Sequence, residues 1–461
     1  MAGEVSGVGV GFRPELAAGL LRDPRRVDFL EVTAESLFAR ADWLREAHAM
    51  REIWPVVPHG VKLSLASADG VDEQKAQRLG ELARDLHAPM VSEHVALTRA
   101  GKRDIGHLTS VPFTRDAVSV VARNVARTRR HLPDVPFLLE NVAWTLRWPD
   151  DAMGEGAFHG EIVRATGCPL LLDVANVYAN ARNSGVDPRV LLESYPLESV
   201  AMIHVAGGFL DEGFWFDTHA HDVPEDVLSL LALAVERCGS VPVVLERDGA
   251  FPEFTETARE LDSIRAIARR GHARKLPAIS ATTPPEATPN TLLLQQIALA
   301  DALVGRRAGS TPALPPSESV GHAPPPFDPT AIARTRAVLR EKRIDDALPL
   351  LPRLGRRRER VEPLARAGVS GWPRPDDLVG PADALRIAEA ALAEPALADD
   401  ARWDRLLLRA RFVGPGALGD VRPRVAPYVT RERIGARTIW VVKGPGAGAP
   451  VRIWFSGGGP A

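Results

Sequence analysis

The chain has 461 residues, of which 45% are hydrophobic and 25% are charged, a composition typical of a folded globular protein. No apolar run approaches the roughly 20 residues that a membrane-spanning helix needs, and the first residues do not resemble a signal peptide. We therefore expect a cytoplasmic protein without a membrane partner. The chain has only two cysteines, which excludes a disulfide scaffold and fits a reducing compartment.

The formal net charge of -2 conceals two parts of opposite charge. Residues 1–280 carry 40 acidic and 31 basic side chains, whereas residues 281–461 carry 19 acidic and 26 basic ones. Ten of the twelve histidines lie at or before position 221. This asymmetry predicts two regions with different roles.

Proline-rich segments mark the boundary between the two regions. Residues 277–290 and 311–328 are rich in proline, serine, threonine and alanine, a composition that buries too little apolar surface to fold alone. The intervening segment 291–307 has helical spacing. We predict a first domain over 1–276, a linker with one helix over 277–328 and a C-terminal domain over 329–461.

Before the linker, eight short apolar segments alternate with amphipathic helical segments. This alternation is typical of a parallel sheet that is covered by helices. Eight strands in about 275 residues favour a closed (β/α)8 barrel of the TIM type over an open doubly wound sheet. The predicted strands cover 8–12, 28–33, 56–65, 89–97, 137–142, 169–177, 200–207 and 241–248.

Acidic, imidazole and amide side chains occur near the ends of most of these strands. The carboxyl ends of parallel barrel strands meet on one face, so we expect these side chains to share a cavity. Carboxylates crowded together repel unless cations neutralise them, and mixed imidazole, carboxylate and amide ligands suit iron, manganese or zinc. The residues are Glu31, His59, Glu93, His94, Glu140, Asn141, Asp173, Asn176, His204, Glu246 and Asp248, with Asp217, His219 and His221 in a cluster after the seventh strand.

This set is too large for one metal ion. A structural zinc usually has thiolate ligands, but Cys168 and Cys238 lie outside the set. Several histidines and carboxylates suit two or three ions, and a bridging carboxylate is the usual way to hold such ions close together. Glu140, on a middle strand, is the predicted bridge. Histidine and carboxylate ligands with open positions favour non-heme iron when dioxygen is the co-substrate.

Seven successive motifs between about residues 5 and 270 resemble those of the multinuclear non-heme iron-dependent oxidative enzymes, the family that includes the iron oxidase of methanobactin biosynthesis. The motifs are HGVKLSLAS (59–67), SEHVAL (92–97), LLENV (138–142), LLDVANVYANARNSG (171–185), IHVAGG (203–208), DTHAHDV (217–223) and VLERDG (244–249). The resemblance implies a xylose-isomerase-like barrel that holds two or three irons.

The family's metal-binding pattern, carried over by resemblance, falls on nine residues of this chain. The chain departs from the family's pattern at Ala175 and Gly208. Both departures concern the position that a third metal ion would occupy. The implied metal ligands are His59, His94, Glu140, Asp173, Asn176, His204, Asp217, His219 and Glu246. The implied catalytic residues are His59, His94, Glu140, Asp173, His204 and Glu246.

The resemblance also implies an activity. Family members use dioxygen to modify ribosomally made precursor peptides, commonly at cysteine, and a partner protein often delivers the peptide. Two other interpretations of the residues stay open. One is an isomerase or phosphodiesterase that uses another divalent metal on a related barrel. The other is a non-catalytic binding module.

The C-terminal region has helical spacing over 328–368 and 381–414, and two β segments over 437–444 and 449–458 predict a hairpin. We expect a mainly helical or α+β domain that binds the peptide or a partner protein. A basic run begins at Arg353 and lacks the interleaved aromatic residues typical of nucleic-acid-binding segments, so we expect no nucleic acid partner. This run is then a solvated helix face or a docking surface for an acidic leader segment.

Overall fold

The computed structural model describes two compact units of the chain. The described residues are 5–39, 41–101, 103–282, 289–304, 327–371, 379–414 and 421–456. One unit holds nearly all of them up to residue 297, and the other is built mainly from those after residue 327. Residues 283–288 and 305–326 of the predicted linker lie outside the described residues.

Eight parallel strands form a closed barrel in the first unit, which confirms the predicted fold class. Each strand pairs with its neighbours in sequence order, and the last strand pairs with the first. The strands are β1 (Val8–Gly11), β2 (Phe29–Thr33), β3 (Val56–Gly60), β4 (Val91–His94), β5 (Phe137–Glu140), β6 (Leu170–Asp173), β7 (Val200–Ala206) and β8 (Val243–Glu246).

A layer of apolar side chains fills the barrel below its carboxyl-terminal face. The layer packs as one buried cluster because alternate residues of each strand point inward. On the six strands that contribute to this layer, the next inward position lies two residues further on, at the face where the site residues were predicted. The buried layer consists of Val5, Phe29, Val57, Leu138, Leu171, Met202 and Val244.

Helices separate successive barrel strands, and side chains cap several of them at the N-terminus. Asp72, for example, accepts hydrogen bonds from the backbone N–H groups of Gln74 and Lys75. No helix among the described residues combines the length and apolar character required to cross a bilayer. The helices up to residue 304 are Pro14–Arg22, Ala34–Ala39, Ala41–Arg51, Glu73–Asp85, Arg115–Arg129, Glu155–Thr166, Val174–Ser184, Pro188–Glu193, Glu225–Cys238, Phe254–Ala268 and Pro289–Val304.

Two antiparallel hairpins follow barrel strands, and the sequence patterns did not predict them. Leu97–Ala100 pairs with Arg103–Thr109 after β4, and Gly208–Asp211 pairs with Phe214–Asp217 after β7. The strands β3 and β4 end at Gly60 and His94, so they are shorter than predicted. The second hairpin matters for the site because its last residue is Asp217.

The second unit combines helices with a small antiparallel sheet. Strand Arg437–Lys443 pairs with Val451–Ser456, which confirms the predicted hairpin. A third strand, Tyr428–Ile434, pairs with the other side of Arg437–Lys443 and was not predicted, because its arginines and glutamate mask the apolar alternation. The helices are Pro329–Ala347, Arg358–Gly371, Val379–Ala391 and Ala398–Arg411.

Several arginines of the basic run interact within the second unit. The Arg357 guanidinium lies 2.7 Å from Asp400, and that of Arg358 lies 2.6 Å from Asp345. Arg353 stacks its guanidinium 4.0 Å from the ring centre of Trp403. Part of the basic run is therefore engaged in contacts within the second unit.

A buried ion pair joins two helices of the second unit and gives a stability prediction. Arg343 donates two hydrogen bonds of 2.7 Å to Asp383, and their side chains are only 7% and 0% exposed. Asp383→Ala leaves Arg343 buried without this carboxylate, and we expect a loss of about 3–5 kcal/mol. Hydrogen exchange across Val379–Ala391 measures the change.

The matched control is Asp399→Ala, which removes an exposed pair with Arg402. We expect it to cost less than about 1 kcal/mol, since exposed pairs are weak. Equal effects of the two substitutions would contradict the role of burial.

Candidate metal centre

Six of the predicted site residues lie inside the barrel at its carboxyl-terminal face. They belong to strands β3 to β8, and each is less than 9% exposed. Each points inward because it follows an inward residue by two positions. These residues are His59, His94, Glu140, Asp173, His204 and Glu246.

His59, His94 and Glu140 form the first group with the spacing of a metal site. The Oε2 atom of Glu140 lies 3.5 Å from Nε2 of His59 and 3.4 Å from Nε2 of His94. The potential ligand atoms of the three side chains lie within 4.8 Å of one another. Both imidazoles therefore face the same carboxylate oxygen.

Glu140 also belongs to a second group, together with Asp173, His204 and Glu246. The Oε1 atom of Glu140 lies 3.1 Å from Nδ1 of His204, and the same nitrogen lies 3.2 Å from Oε2 of Glu246. The two oxygens of Glu140 thus face different groups of ligands. This is the arrangement that a bridging carboxylate requires.

The remaining predicted ligands lie beside the second group, on elements that follow the strands. Asn176 occupies the first turn of helix Val174–Ser184, and its N–H donates to Oδ1 of Asp173 at 2.7 Å. Nδ1 of His219 lies 3.3 Å from Oε2 of Glu246, and Nε2 of His219 lies 2.7 Å from Oδ2 of Asp217. Six of the nine predicted ligands thus form the two groups, and Asn176, Asp217 and His219 lie beside the second group.

Three carboxylate oxygens in this region are buried without a hydrogen-bond partner among the described residues: Oε2 of Glu140, Oδ2 of Asp173 and Oδ1 of Asp217. A buried carboxylate oxygen is costly unless a donor or a cation satisfies it. The Glu140 oxygen faces the first group, the Asp173 oxygen belongs to the second group, and the Asp217 oxygen belongs to the residues beside it. The donor set and these three oxygens fit bound metal ions.

The pKa values of several site residues are shifted because charged side chains are buried close together. Burial opposes protonation of His94, but the Glu140 and Glu93 carboxylates outweigh it and raise its pKa to about 9. Burial and then the Asp217 and Glu140 charges raise the pKa of Asp173 well above its usual value. Burial also opposes ionisation of Glu246, but His204 and His219 hold its pKa well below the usual range. The carboxylates therefore depend on positive charge beside them.

Polar partners fix the orientation of three imidazole rings. Nδ1 of His59 is hydrogen-bonded to Oγ of Ser92 at 2.9 Å, and Nδ1 of His94 lies 3.2 Å from the carbonyl oxygen of Gly60. Nε2 of His204 lies 3.1 Å from Oε2 of Glu31. His59 and His94 are therefore free to bind metal through Nε2, whereas His204 presents Nδ1 to the carboxylates.

Two further glutamates hold the chain that follows β3. Glu35 accepts the N–H groups of Val61 and Lys62, and Oε2 of Glu93 accepts that of Leu63 at 3.1 Å. A Cβ at Gly60 would lie 2.6 Å from this Glu93 oxygen, so the close approach requires glycine. These contacts fix the segment directly after His59.

Some residues near the strand ends have roles other than those predicted from position alone. Asn141 exchanges hydrogen bonds of 2.9 and 3.0 Å with the backbone of Asp173, so it joins β5 to β6. His221 is exposed and hydrogen-bonded to Thr218. Sequence reasoning missed Ser92, although it lies two residues before His94 and pairs with His59 in the register of β3 and β4.

A closed parallel barrel with clustered histidines and carboxylates defines a candidate metalloenzyme, and comparison with known proteins gives its family. The family described as "RiPP precursor modification enzyme MbnB/TglH/ChrH" matches residues 7–269. RiPP denotes a ribosomally synthesised and post-translationally modified peptide. The chain belongs to this family, which confirms the resemblance seen in the sequence.

Two bacterial proteins are similar to this chain in sequence. A UPF0276 protein of Streptomyces avermitilis is 39% identical over 316 residues, which are 67% of this chain and 64% of that protein. A UPF0276 protein of Caulobacter vibrioides is 37% identical over 270 residues, which are 58% of this chain and 96% of that protein. The match thus covers just under two thirds of the Streptomyces protein and nearly all of the Caulobacter one.

Solved structures that align with this chain are less similar to it in sequence. Endonuclease IV from Thermus thermophilus aligns with 57% of this chain and 100% of its own, at 17% identity and a TM-score of 0.39. A xylose isomerase domain protein from Planctomyces limnophilus aligns with 58% of this chain and 97% of its own, at 16% identity and a TM-score of 0.38.

The hydrogen bond between Ser92 and His59 gives a testable prediction. Ser92→Ala removes the group that orients the ring, and we expect metal affinity to fall about 10- to 100-fold. Competition with a metal chelator measures the affinity. The control is Ser119→Ala, because Ser119 is also buried but donates to a carbonyl of its own helix. Equal affinities in both variants would contradict the proposed role of Ser92.

Proposed function

We propose that the protein is a multinuclear iron-dependent oxidase or oxygenase that uses dioxygen to modify a ribosomally synthesised precursor peptide at cysteine. Family membership supports the peptide substrate. The observation that carries the proposal is the position of Glu140, whose two buried oxygens face two different groups of potential ligands. A single ion would leave one of these groups unused.

The proposal assigns the nine predicted ligands to two or three iron ions. His59, His94 and Glu140 hold one ion, and Glu140, Asp173, His204 and Glu246 hold a second. Asp217, His219 and Asn176, with Asp173, complete a third position. Bound iron supplies the redox chemistry with dioxygen that amino-acid side chains lack.

The chain itself contributes position, charge and burial. Ser92 and Glu31 orient the rings of His59 and His204, so these ligands need little rearrangement when they bind. The strands that carry the ligands are among the most buried segments of the described chain. A water-poor site of this kind strengthens electrostatic interactions and limits side reactions.

The second unit, in this proposal, binds the precursor peptide or the partner protein that delivers it. The excess of basic over acidic residues after position 280 supports an acidic leader segment as its ligand. The domain limits predicted from the sequence, with the barrel over 1–276 and the C-terminal domain over 329–461, belong to the same proposal.

Metal analysis after anaerobic purification tests the metal centre. We expect at least two irons per chain. Stoichiometric zinc without iron would contradict the proposal and favour a metal-dependent isomerase or phosphodiesterase. Incubation with dioxygen and a cysteine-containing precursor peptide should then change the mass of the peptide, and an unchanged mass would contradict peptide oxidation.

The Glu140→Ala variant tests the proposed bridge. Loss of both carboxylate oxygens should release more than one metal ion per chain, because two groups share this residue. Metal content, measured by mass spectrometry, gives the result. The control Glu81→Ala removes an exposed carboxylate from a barrel helix and should leave the metal content unchanged. Loss of one ion or none from Glu140→Ala would refute the bridge.

A further inference from the structure

Asp217 and His219 lie outside the barrel strands, unlike the six site residues on β3 to β8. They belong to the segment 208–223, which begins with the hairpin after β7 and ends before helix Glu225–Cys238. His219 has a positive φ of 53°, an uncommon conformation for a residue with a side chain. Contacts elsewhere must therefore hold this segment in place.

A buried arginine fixes the end of the segment. Arg247 directly follows Glu246 of β8, and its side chain is only 2% exposed. Its guanidinium donates to Oε2 of Glu260 at 2.9 Å and to Oδ1 of Asp222 at 2.8 Å. Since the Asp222 side chain is 87% exposed and that of Glu260 only 12%, Glu260 is the stronger partner.

Glu260 also holds the backbone of the segment. It lies on helix Phe254–Ala268, and its Oε1 atom accepts a 2.6 Å hydrogen bond from the N–H group of Val223. One carboxylate thus binds both the buried arginine and the segment. We call Arg247 and Glu260 the latch.

Two backbone contacts hold the same segment from the barrel side. The N–H group of Asp248 donates to the carbonyl oxygen of His219 at 2.6 Å. A Cβ at Gly207 would collide with the carbonyl oxygens of His221 and Asp222, so the segment lies directly on the backbone at the end of β7. The segment is therefore fixed on both sides.

We propose that the latch consists of positioning residues that hold Asp217 and His219 for a third metal ion. This inference rests on the proposed metal centre, but it concerns residues that are not ligands themselves. This ion would use Oδ1 of Asp217 and Oδ2 of Asp173, which are buried and have no hydrogen-bond partner among the described residues. The barrel strands position their own ligands through backbone pairing with one another, so we expect the third ion to be lost alone.

Glu260→Ala tests the latch. The variant and the wild type are loaded with ferrous iron under anaerobic conditions, and the metal content per chain is measured. We expect the variant to hold about one ion fewer than the wild type, with faster hydrogen exchange over residues 217–223. The control Glu256→Ala lies on the same helix but is exposed, and it should retain every ion.

Gly207→Ala tests the same inference from the other side of the segment. It should also remove about one ion and speed hydrogen exchange over 217–223, while the ions bound through Glu140 remain. If Glu260→Ala does not fold, this variant still shows whether the position of the segment controls binding of the third ion.

The outcomes separate this inference from the proposed function. A wild-type chain that loads two ions, or folded variants that keep all three, would overturn the latch and leave the proposed function standing. Faster exchange with an unchanged metal content would also overturn it. A wild-type chain that loads no iron would overturn the proposed function, and the latch with it.

Discussion

The structure depends on one electrostatic constraint, the burial of several carboxylates and imidazoles at one face of the barrel. Glu140 is at the centre of this group, with His59 and His94 on one side and His204 on the other. Such a group is unfavourable unless the negative charges are compensated. In the proposed metal centre, metal ions would supply that compensation and would use the oxygens that have no hydrogen-bond partner among the described residues.

Much of the barrel and its site could be predicted because both follow from strand periodicity. On β5, β6 and β8 an apolar inward residue is followed two positions later by Glu140, Asp173 and Glu246, a regular pattern that sequence preserves. Asp217 and His219 could be named from their motif, but their placement could not. Both residues lie on or after a hairpin, in a segment whose last residues, Asp222 and Val223, contact Arg247 and Glu260 further along the chain.

Of the residues that orient the imidazoles, Glu31 was found in the sequence but Ser92 was not. Ser92 contacts His59 only because β3 and β4 pair in one register, and a serine in a strand carries no signal of its own. In the second unit, strand Tyr428–Ile434 contains three consecutive charged residues, Arg431 to Arg433, which hide its strand pattern, and it pairs with the adjacent strand Arg437–Lys443. Contacts with neighbouring strands, rather than the local sequence, determine the structure and role of such residues.

Anomalous X-ray scattering from crystals of the anaerobically purified protein, measured on both sides of the iron absorption edge, tests the central claim most directly. The account predicts iron peaks on both sides of the Glu140 carboxylate, one towards His59 and His94 and one towards His204 and Glu246. A single peak, or a site in which protonated histidines alone neutralise the carboxylates, would contradict it.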